Sequence, residues 1–245
     1  MNKIPNKSFS VANYLHKLMR TKMNRTINKP TYKRYFKNVF KGTKMNKTIN
    51  KPSDAPFTSD EFNKVYHNSF MHWFWTDIRI PKELKELLQI NQPKKSLELG
   101  CGLGRFSTYA AKQGIHATGI DFSSIAIEKA KQRITDKEAK PTFLLGDVTN
   151  LSNINEQFDV SFDIGCFHCL DKTGQQKYVV ELSRLLNFGN IHLLWVLDNA
   201  PSDIELTPEY ITKVFESEFD LVKSKFSRRR FIASHWYWFK RKDNL

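Results

Sequence analysis

The residues with the clearest chemical potential form a glycine-rich segment that begins with a carboxylate. Residues 98–104 read Glu-Leu-Gly-Cys-Gly-Leu-Gly, so that Gly100, Gly102 and Gly104 alternate with larger residues. Glycines at every second position let a chain turn sharply from a strand into a helix, and they let a ligand approach the backbone N–H groups. The segment is therefore a candidate ligand-binding turn at the carboxyl end of a strand.

The spacing of these glycines excludes two common nucleotide-binding motifs. A dinucleotide fingerprint requires Gly-x-Gly-x-x-Gly, but its third glycine falls on Arg105 or on Ser107 in the two possible registers. The sequence also contains no Gly-x-x-x-x-Gly-Lys-Ser/Thr segment, which excludes a P-loop nucleotidase. A ligand that needs no phosphate-binding loop is the better match.

Three carboxylates fall at the ends of predicted strands around this turn. Asp121 follows Gly104 by 17 residues and is suited to accept hydrogen bonds from both hydroxyls of a ribose. Asp147 can accept from an adenine amino group, with the Val148 backbone beside the ring, although it can also cap a turn. Glu98 is expected near a positively charged part of the ligand. Together these groups suit a cationic nucleoside without phosphate.

The glycine turn and the three carboxylates must be positioned by the elements around them. In the sequence, predicted strands alternate with predicted helices, and this alternation indicates parallel βαβ units in a doubly wound α/β sheet. The predicted strands of this unit are Lys95–Leu99, His116–Ile120, Thr142–Leu145, Val160–Ile164 and Ile191–Leu197. The predicted helices are Glu61–Trp75, Glu83–Ile90, Arg105–Gln113, Ser124–Thr135, Thr173–Leu186, stopped by Asn187 and Gly189, and Pro208–Phe215. A final pair of strands is predicted at Leu221–Phe226 and Phe231–Lys240.

The order of these motifs resembles the class I S-adenosylmethionine-dependent methyltransferases over residues 94–200. The resemblance rests on the segments Glu98–Gly104, Asp121, Gly146–Val148 and Phe158–Leu170. The last of these ends in Gly-x-x-His-x-Leu, as in methyltransferases of small molecules. One departure is the turn before the fifth strand, where Phe188 replaces the usual Pro and Asn190 the second Gly.

The resemblance implies S-adenosylmethionine as cofactor and a mostly parallel, seven-stranded Rossmann-like sheet with an antiparallel last strand. The cofactor-binding residues that we predict are Glu98, Gly100, Cys101, Gly102, Gly104, Asp121, Phe122, Asp147, Val148 and Trp75. The aromatic residues up to Trp75 are expected to close over the methyl group. His168 is the candidate general base and Asp163 its helper; a structural histidine and a loop-capping aspartate are the alternatives.

The three cysteines do not suggest a scaffold or a metal site. A chain of 245 residues with only Cys101, Cys166 and Cys169 has no disulfide framework, and a reducing, cytoplasmic compartment is the default. Cys166 and Cys169 have the spacing of a zinc or redox pair, but no second Cys/His pair accompanies them. Small buried side chains are the favoured interpretation, and no metal is expected. No apolar run approaches the ~20 residues of a membrane span.

The net charge of +14 lies entirely in residues 1–53, which contain 14 Lys/Arg and no Asp/Glu. Thr21–Pro30 and Thr43–Pro52 repeat one another at nine of ten positions. We therefore divide the chain into a basic arm, 1–53, and a methyltransferase domain, 54–245. The arm is compatible with an anionic membrane surface, with RNA, with an organelle transit peptide or with a solvated tail.

Three functions follow from these features. The favoured one is methyl transfer to a small-molecule acceptor. The second is methylation of RNA or protein docked by the arm, against which stands the lack of an Asn-Pro-Pro-Tyr-type tetrapeptide after the fourth strand; a nucleic-acid partner is therefore not favoured. The third is a non-catalytic protein that binds an adenosine ligand.

Overall fold

The computed structural model describes residues 58–67, 79–135, 139–198, 204–228 and 233–243. Its strands are β1 Lys95–Leu99, β2 His116–Asp121, β3 Thr142–Leu145, β4 Phe158–Ile164, β5 Leu186–Leu197, β6 Phe219–Ser227 and β7 Ser234–Arg241. Its α-helices are α1 Ser59–His67, α2 Lys82–Asn91, α3 Arg105–Ala111, α4 Ser124–Gln132, α5 Lys172–Leu185 and α6 Pro208–Phe215. A 3₁₀ turn at Phe167–Cys169 follows β4.

Within these ranges the strands form one seven-stranded sheet with the order β3-β2-β1-β4-β5-β7-β6. The five strands from β3 to β5 pair in parallel, and β7 runs antiparallel between β5 and β6. This confirms the doubly wound, mostly parallel α/β sheet predicted from the sequence. The strand order reverses direction at β1 and β4, which is where ligands bind in open α/β sheets, beyond the carboxyl ends of the strands.

Both faces of the sheet are covered, and side chains alternate between them along each strand. On β5, Leu193 and Trp195 pack with the residues of α2 and α3, whereas Leu194 and Val196 pack with those of α5 and α6. Strands buried on both faces are expected in the centre of a parallel sheet. β6 is an edge strand, and most of its residues are exposed.

Three of the helices begin at a side chain that caps the first turn. Ser123 accepts a hydrogen bond from the Ala126 N–H, Asp171 from the Gly174 N–H, and Thr207 from the Tyr210 N–H. Such caps satisfy N–H groups that have no partner inside the helix. They start α4 and α5 beside the carboxyl ends of β2 and β4, and they start α6 after β5.

The structure differs from the sequence-based prediction mainly at element boundaries. α3 ends two residues before the predicted Gln113, and α4 ends at Gln132 rather than at Thr135. α5 ends at Leu185, one residue before the predicted end, but β5 follows directly from Leu186 instead of starting at the predicted Ile191. Leu186 pairs with Phe158 and Ile191 with Val160, so residues 187–190 form an irregularity within the strand instead of a separate turn.

Part of the predicted first helix lies outside the described residues. α1 is described from Ser59 to His67, and residues 68–78, which include Trp75, are not described. The basic arm, 1–53, lies outside the described residues as well. Among the helices that are described, none combines the length and the apolar character needed to cross a bilayer.

Candidate functional site

A cavity of about 610 Å³ opens at the carboxyl edge of the sheet. Its floor is formed where the chain leaves the first four strands, at Gly100, Asp121, Gly146 and Gly165. α1 and the residue before it cover one side, and the first turns of α5 form another. The cavity therefore lies at the switch point of the sheet, where the sequence predicted a ligand site.

The glycine turn leaves no space for a side chain at Gly100, at Gly102 or at Gly104. A Cβ at Gly100 would lie 2.3 Å from the Cβ of Cys166, and a Cβ at Gly102 would lie 2.7 Å from the hydroxyl oxygen of Tyr66. Both glycines also adopt positive φ values, +72° and +51°, which side chains disfavour. Gly100 brings the turn after β1 against the turn after β4, and Gly102 brings it against α1.

Three N–H groups of the glycine turn are already used within the chain. Cys101 donates to the Ile120 carbonyl at 2.8 Å, Gly102 to Oδ2 of Asp121 at 2.8 Å, and Gly104 to the Cys101 carbonyl at 2.9 Å. The glycine spacing predicted that a ligand reaches the N–H groups of this turn. The structure corrects that expectation for these three groups, because they stabilise the turn itself.

Asp121 lines the cavity and organises its rim. Its two oxygens accept from the N–H groups of Gly102, at 2.8 Å, and Ser123, at 2.9 Å. Burial raises the pKa of Asp121 to about 6, although both hydrogen bonds favour the ionised form. A carboxylate has about four acceptor sites, so about two stay available to a ligand. The neighbouring Phe122 also lines the cavity.

Asp147 and Val148 line the cavity at the end of β3. Asp147 is exposed, and its Oδ1 accepts from the N–H of Thr149 at 2.9 Å and from the hydroxyl of the same residue at 2.8 Å. It therefore caps the turn after β3 and faces the cavity at the same time. The two roles that the sequence left open for Asp147 are compatible.

Glu98 does not line the described cavity. Side chains alternate along β1, and Leu97 and Leu99 pack on one face while Glu98 faces α3. There one oxygen of Glu98 accepts from the Ser107 N–H at 2.8 Å and from the Ser107 hydroxyl. Burial raises the pKa of Glu98 to about 8. Cys101, Gly102 and Gly104 also lie outside the cavity lining and form the body of the turn.

Asp163 is fully buried and does not line the cavity. It accepts from the N–H groups of Gly165, Cys166 and Phe167 at 2.8–2.9 Å, and from the Tyr178 hydroxyl at 3.1 Å. These four donors occupy all of its acceptor sites. Burial raises the pKa of Asp163 to about 6. The geometry is that of a residue that caps the turn after β4.

His168, the other catalytic candidate, is 2% exposed and also lies outside the cavity lining. Its Nδ1 lies 3.4 Å from the Leu197 N–H, and its ring meets Trp195 edge to face. The structure thus places both catalytic candidates behind the turn after β4. The residues of that turn that reach the cavity are Gly165, Cys166 and Cys169.

The thiols around the cavity are free. Burial raises the pKa of Cys166 and of Cys169, so both are neutral thiols and poor nucleophiles. In the described part of the chain, no three His, Cys, Asp or Glu side chains are grouped so as to hold a metal ion.

α1 contributes residues that the sequence analysis did not identify. Phe62 and Tyr66, one helical turn apart, both line the cavity and are both buried. The helix is fixed to the rim by the Ser59 hydroxyl, which donates to the Phe122 carbonyl at 2.8 Å. It is also held by the Ser123 hydroxyl, which donates to Asn63 at 2.6 Å. The available signal was the spacing of the two aromatic residues, which predicts a buried helix face but not what it faces.

Comparisons with known proteins agree with this geometry. A family model described as a methyltransferase domain matches residues 97–189. An uncharacterized methyltransferase of Schizosaccharomyces pombe is 32% identical over 100 residues, which cover 40% of this chain and 69% of that protein. A 2-heptyl-1-hydroxyquinolin-4(1H)-one methyltransferase of Mycobacteroides abscessus is 27% identical, over 51% of this chain and 56% of its own.

The solved structures include a similar fold. The 1,6-didemethyltoxoflavin-N1-methyltransferase of Burkholderia thailandensis, bound to its substrate and to S-adenosylhomocysteine, has a TM-score of 0.62 and 20% identity. The match covers 78% of this chain and 93% of that one. At this identity the likeness establishes the fold alone.

Proposed function

The chain belongs to the class I S-adenosylmethionine-dependent methyltransferases, and from this premise we propose that it transfers the methyl group of the cofactor to a small-molecule nucleophile. The observation that carries the proposal is the cavity of about 610 Å³ at the switch point, covered by α1. Its volume lies within the range of about 300–1,000 Å³ that is usual for small-ligand sites. A covered cavity of this size suits a small acceptor better than a segment of polymer.

The residues present fit the cofactor. Asp121 keeps about two acceptor sites for ribose hydroxyls, and Asp147 presents a carboxylate at the end of β3 for an amino group. Val148 and Phe122 line the same part of the cavity and provide apolar surface for a base. Lys177 is the one basic side chain among the described lining residues, in keeping with a ligand that carries no phosphate.

When bound, S-adenosylmethionine supplies an electrophilic methyl group on a sulfonium centre. The residues of the chain are then required to bind and orient the cofactor and the acceptor and to exclude water. Alignment and desolvation of this kind supply most of the rate acceleration in such displacements. Phe62 and Phe122, whose ring centroids lie 5.2 Å apart, cover the cavity on the α1 side.

We assign His168 and Asp163 to positioning rather than to proton transfer. The four hydrogen bonds of Asp163 hold the turn that carries Gly165 and Cys166 into the cavity wall. An acceptor that is already anionic needs no general base. One relative is named as a methyltransferase of 2-heptyl-1-hydroxyquinolin-4(1H)-one and one structural neighbour as a methyltransferase of 1,6-didemethyltoxoflavin, which supports a small acceptor here as well.

Calorimetric titration of S-adenosylmethionine and S-adenosylhomocysteine tests the proposal. The wild-type protein should bind both with micromolar affinity, and Asp121→Asn should bind at least about tenfold more weakly, since hydrogen bonds to a carboxylate are lost. Asp220→Asn makes the same change at an exposed position on β6 and should bind as the wild type does.

Two results would count against the assignment. Absence of binding to the wild type would overturn the proposed cofactor site, and unchanged binding by Asp121→Asn would remove Asp121 from it. If binding behaves as expected, a screen of small phenols, amines and thiols for methyl transfer tests the acceptor class directly.

A further inference from the structure

We propose that Tyr66 is a cofactor-binding residue, whose hydroxyl donates a hydrogen bond to the carboxylate of bound S-adenosylmethionine beside the glycine turn. This inference rests on the proposed function and names a contact that the glycine motif does not supply. It follows from where the hydroxyl lies, and from two features of the described residues: none forms a hydrogen bond with this hydroxyl, and few other donors lie in the same part of the cavity.

The Tyr66 hydroxyl lies at the glycine turn. Its oxygen would be 2.7 Å from a Cβ at Gly102, so the absence of that Cβ is what lets the side chain approach. Tyr66 is 4% exposed, yet it lines the cavity. In the part of the chain that the structure describes, no atom forms a hydrogen bond with this hydroxyl. Because Tyr66 lines the cavity, a ligand bound there can accept from this hydroxyl.

Other donors at this end of the cavity are already in use. The N–H groups of Cys101, Gly102 and Gly104 all donate within the chain. The lining hydroxyls that also donate within the chain are those of Thr58, to Glu61, of Ser59, to Phe122, and of Thr149, to Asp147. The turn that gives the family its signature therefore leaves the nearby carboxylate of a ligand with few backbone donors.

The other hydroxyl and ammonium donors in the described lining lie on α5. Thr173 and Lys177 belong to the first turns of that helix, whose Gly174 packs beside Thr149 at the Asp147 end of the cavity. The amino-acid end of S-adenosylmethionine carries an ammonium group and a carboxylate. Asp121 and Asp147 can serve only groups that donate, so the carboxylate needs a donor such as Tyr66.

The ionisation state of Tyr66 suits a donor. Burial, followed by the nearby charge of Asp121, raises the pKa of Tyr66 well above its ordinary value. The phenol therefore keeps its proton at neutral pH, and a hydrogen bond from it to a carboxylate is charge-assisted.

The position of Tyr66 is fixed by the same contacts that hold α1 on the rim. The Lys129 ammonium donates to the Tyr66 carbonyl at 2.5 Å, and Asn63 accepts from the Ser123 hydroxyl. The N–H of Ser123 in turn donates to Asp121. The residue that binds the ribose and the helix that carries Tyr66 are therefore joined through one serine.

Tyr66→Phe removes the hydroxyl alone and tests the proposal by calorimetry. S-Adenosylhomocysteine should bind to the variant about 10- to 100-fold more weakly than to the wild type, the usual effect of losing a hydrogen bond to a charged group. Methylthioadenosine, which has the same nucleoside but no amino-acid end, should bind both proteins equally. Decarboxylated S-adenosylhomocysteine should also bind both equally, which assigns the contact to the carboxylate.

Tyr109→Phe is the matched control, because Tyr109 lies on α3 outside the cavity lining and should bind every ligand as the wild type does. Equal weakening of all three ligands by Tyr66→Phe would overturn the proposal, since it would mean that the hydroxyl shapes the whole cavity. Unchanged binding of S-adenosylhomocysteine would overturn it too. Failure of the wild type to bind any of the three would overturn the proposed function itself.

Discussion

A buried aspartate lies at the carboxyl end of β2 and another at that of β4, but the two differ in their capacity to bind a ligand. Asp121 accepts two N–H groups, whereas Asp163 accepts three N–H groups and a tyrosine hydroxyl. Burial raises the pKa of each to about 6, so burial does not distinguish them. With about four acceptor sites in a carboxylate, Asp121 can still bind a ligand and Asp163 cannot.

This comparison shows how a binding carboxylate and a structural one can be separated at the same edge of a sheet. The two have the same residue type and similar positions, since Asp121 is the last residue of β2 and Asp163 the last but one of β4. The number of donors that the chain itself directs at each carboxylate is what differs. A perturbed pKa alone would have suggested a functional role for both.

The largest expected effect on stability comes from Asp163→Ala. The change leaves three buried N–H groups and the Tyr178 hydroxyl without their acceptor, so the free energy of unfolding should fall by about 3 kcal/mol or more. Asp121→Ala, with two donors, should cost about half as much. Urea unfolding followed by circular dichroism measures both, and a greater loss for Asp121→Ala would reverse the comparison.

A smaller effect is expected from Glu98→Gln, and it should depend on pH. The pKa of Glu98 is about 8 in the folded protein, above its ordinary 4.5, so the folded state holds the proton more tightly. Ionisation of Glu98 therefore lowers the stability of the wild type progressively as pH rises from about 4.5 to 8. Glu98→Gln has no ionisable group at this position, so its stability does not fall for this reason as pH rises.

The measurement is the difference in unfolding free energy between Glu98→Gln and the wild type at pH 5 and at pH 8. It should shift in favour of the variant by on the order of 2 kcal/mol over this interval. Glu86→Gln, at an exposed ion pair on α2, is the control and should give no such shift. A pH-independent difference for Glu98→Gln would mean that Glu98 ionises normally beneath the glycine turn.

The smallest effect is expected from Tyr178→Phe, which removes one of the four donors to Asp163. The loss should be about 1 kcal/mol, the usual net value of one hydrogen bond. Since Tyr178 lies outside the cavity lining, affinity for S-adenosylhomocysteine should not change. Weakened binding together with an unchanged free energy of unfolding would assign Tyr178 to the site. It would contradict the distinction between Asp121 as a binding carboxylate and Asp163 as a structural one.

The sequence predicts the fold and several residues of the cavity because both depend on local patterns. β1, β3 and α6 occur with the predicted bounds, and Gly100, Asp121 and Asp147 fall on the cavity because each follows a parallel strand. The direction of Glu98 could not be predicted, since it depends on Ser107, nine residues later in a different element.

Contacts between segments that are far apart in the sequence could not be predicted from local patterns either. The four donors that surround Asp163 include Tyr178 from α5, and no motif indicates that pairing. Tyr66 meets Gly102 through a packing of α1 on the turn that spans 36 residues of sequence. Asn187 and Gly189 predict a turn, but pairing of the residues on either side with β4 absorbs them into β5.

The exposed edge strand β6 is a place where another chain could add to the sheet. In the described part of the chain β6 has a strand neighbour only at β7, so its other side presents backbone groups to which a foreign strand could add. Lys223, which lies over the Trp238 ring, and Lys225, paired with Glu83, place positive charge along that edge. A second strand would have to desolvate these lysines, so the strand that completes the sheet also opposes aggregation.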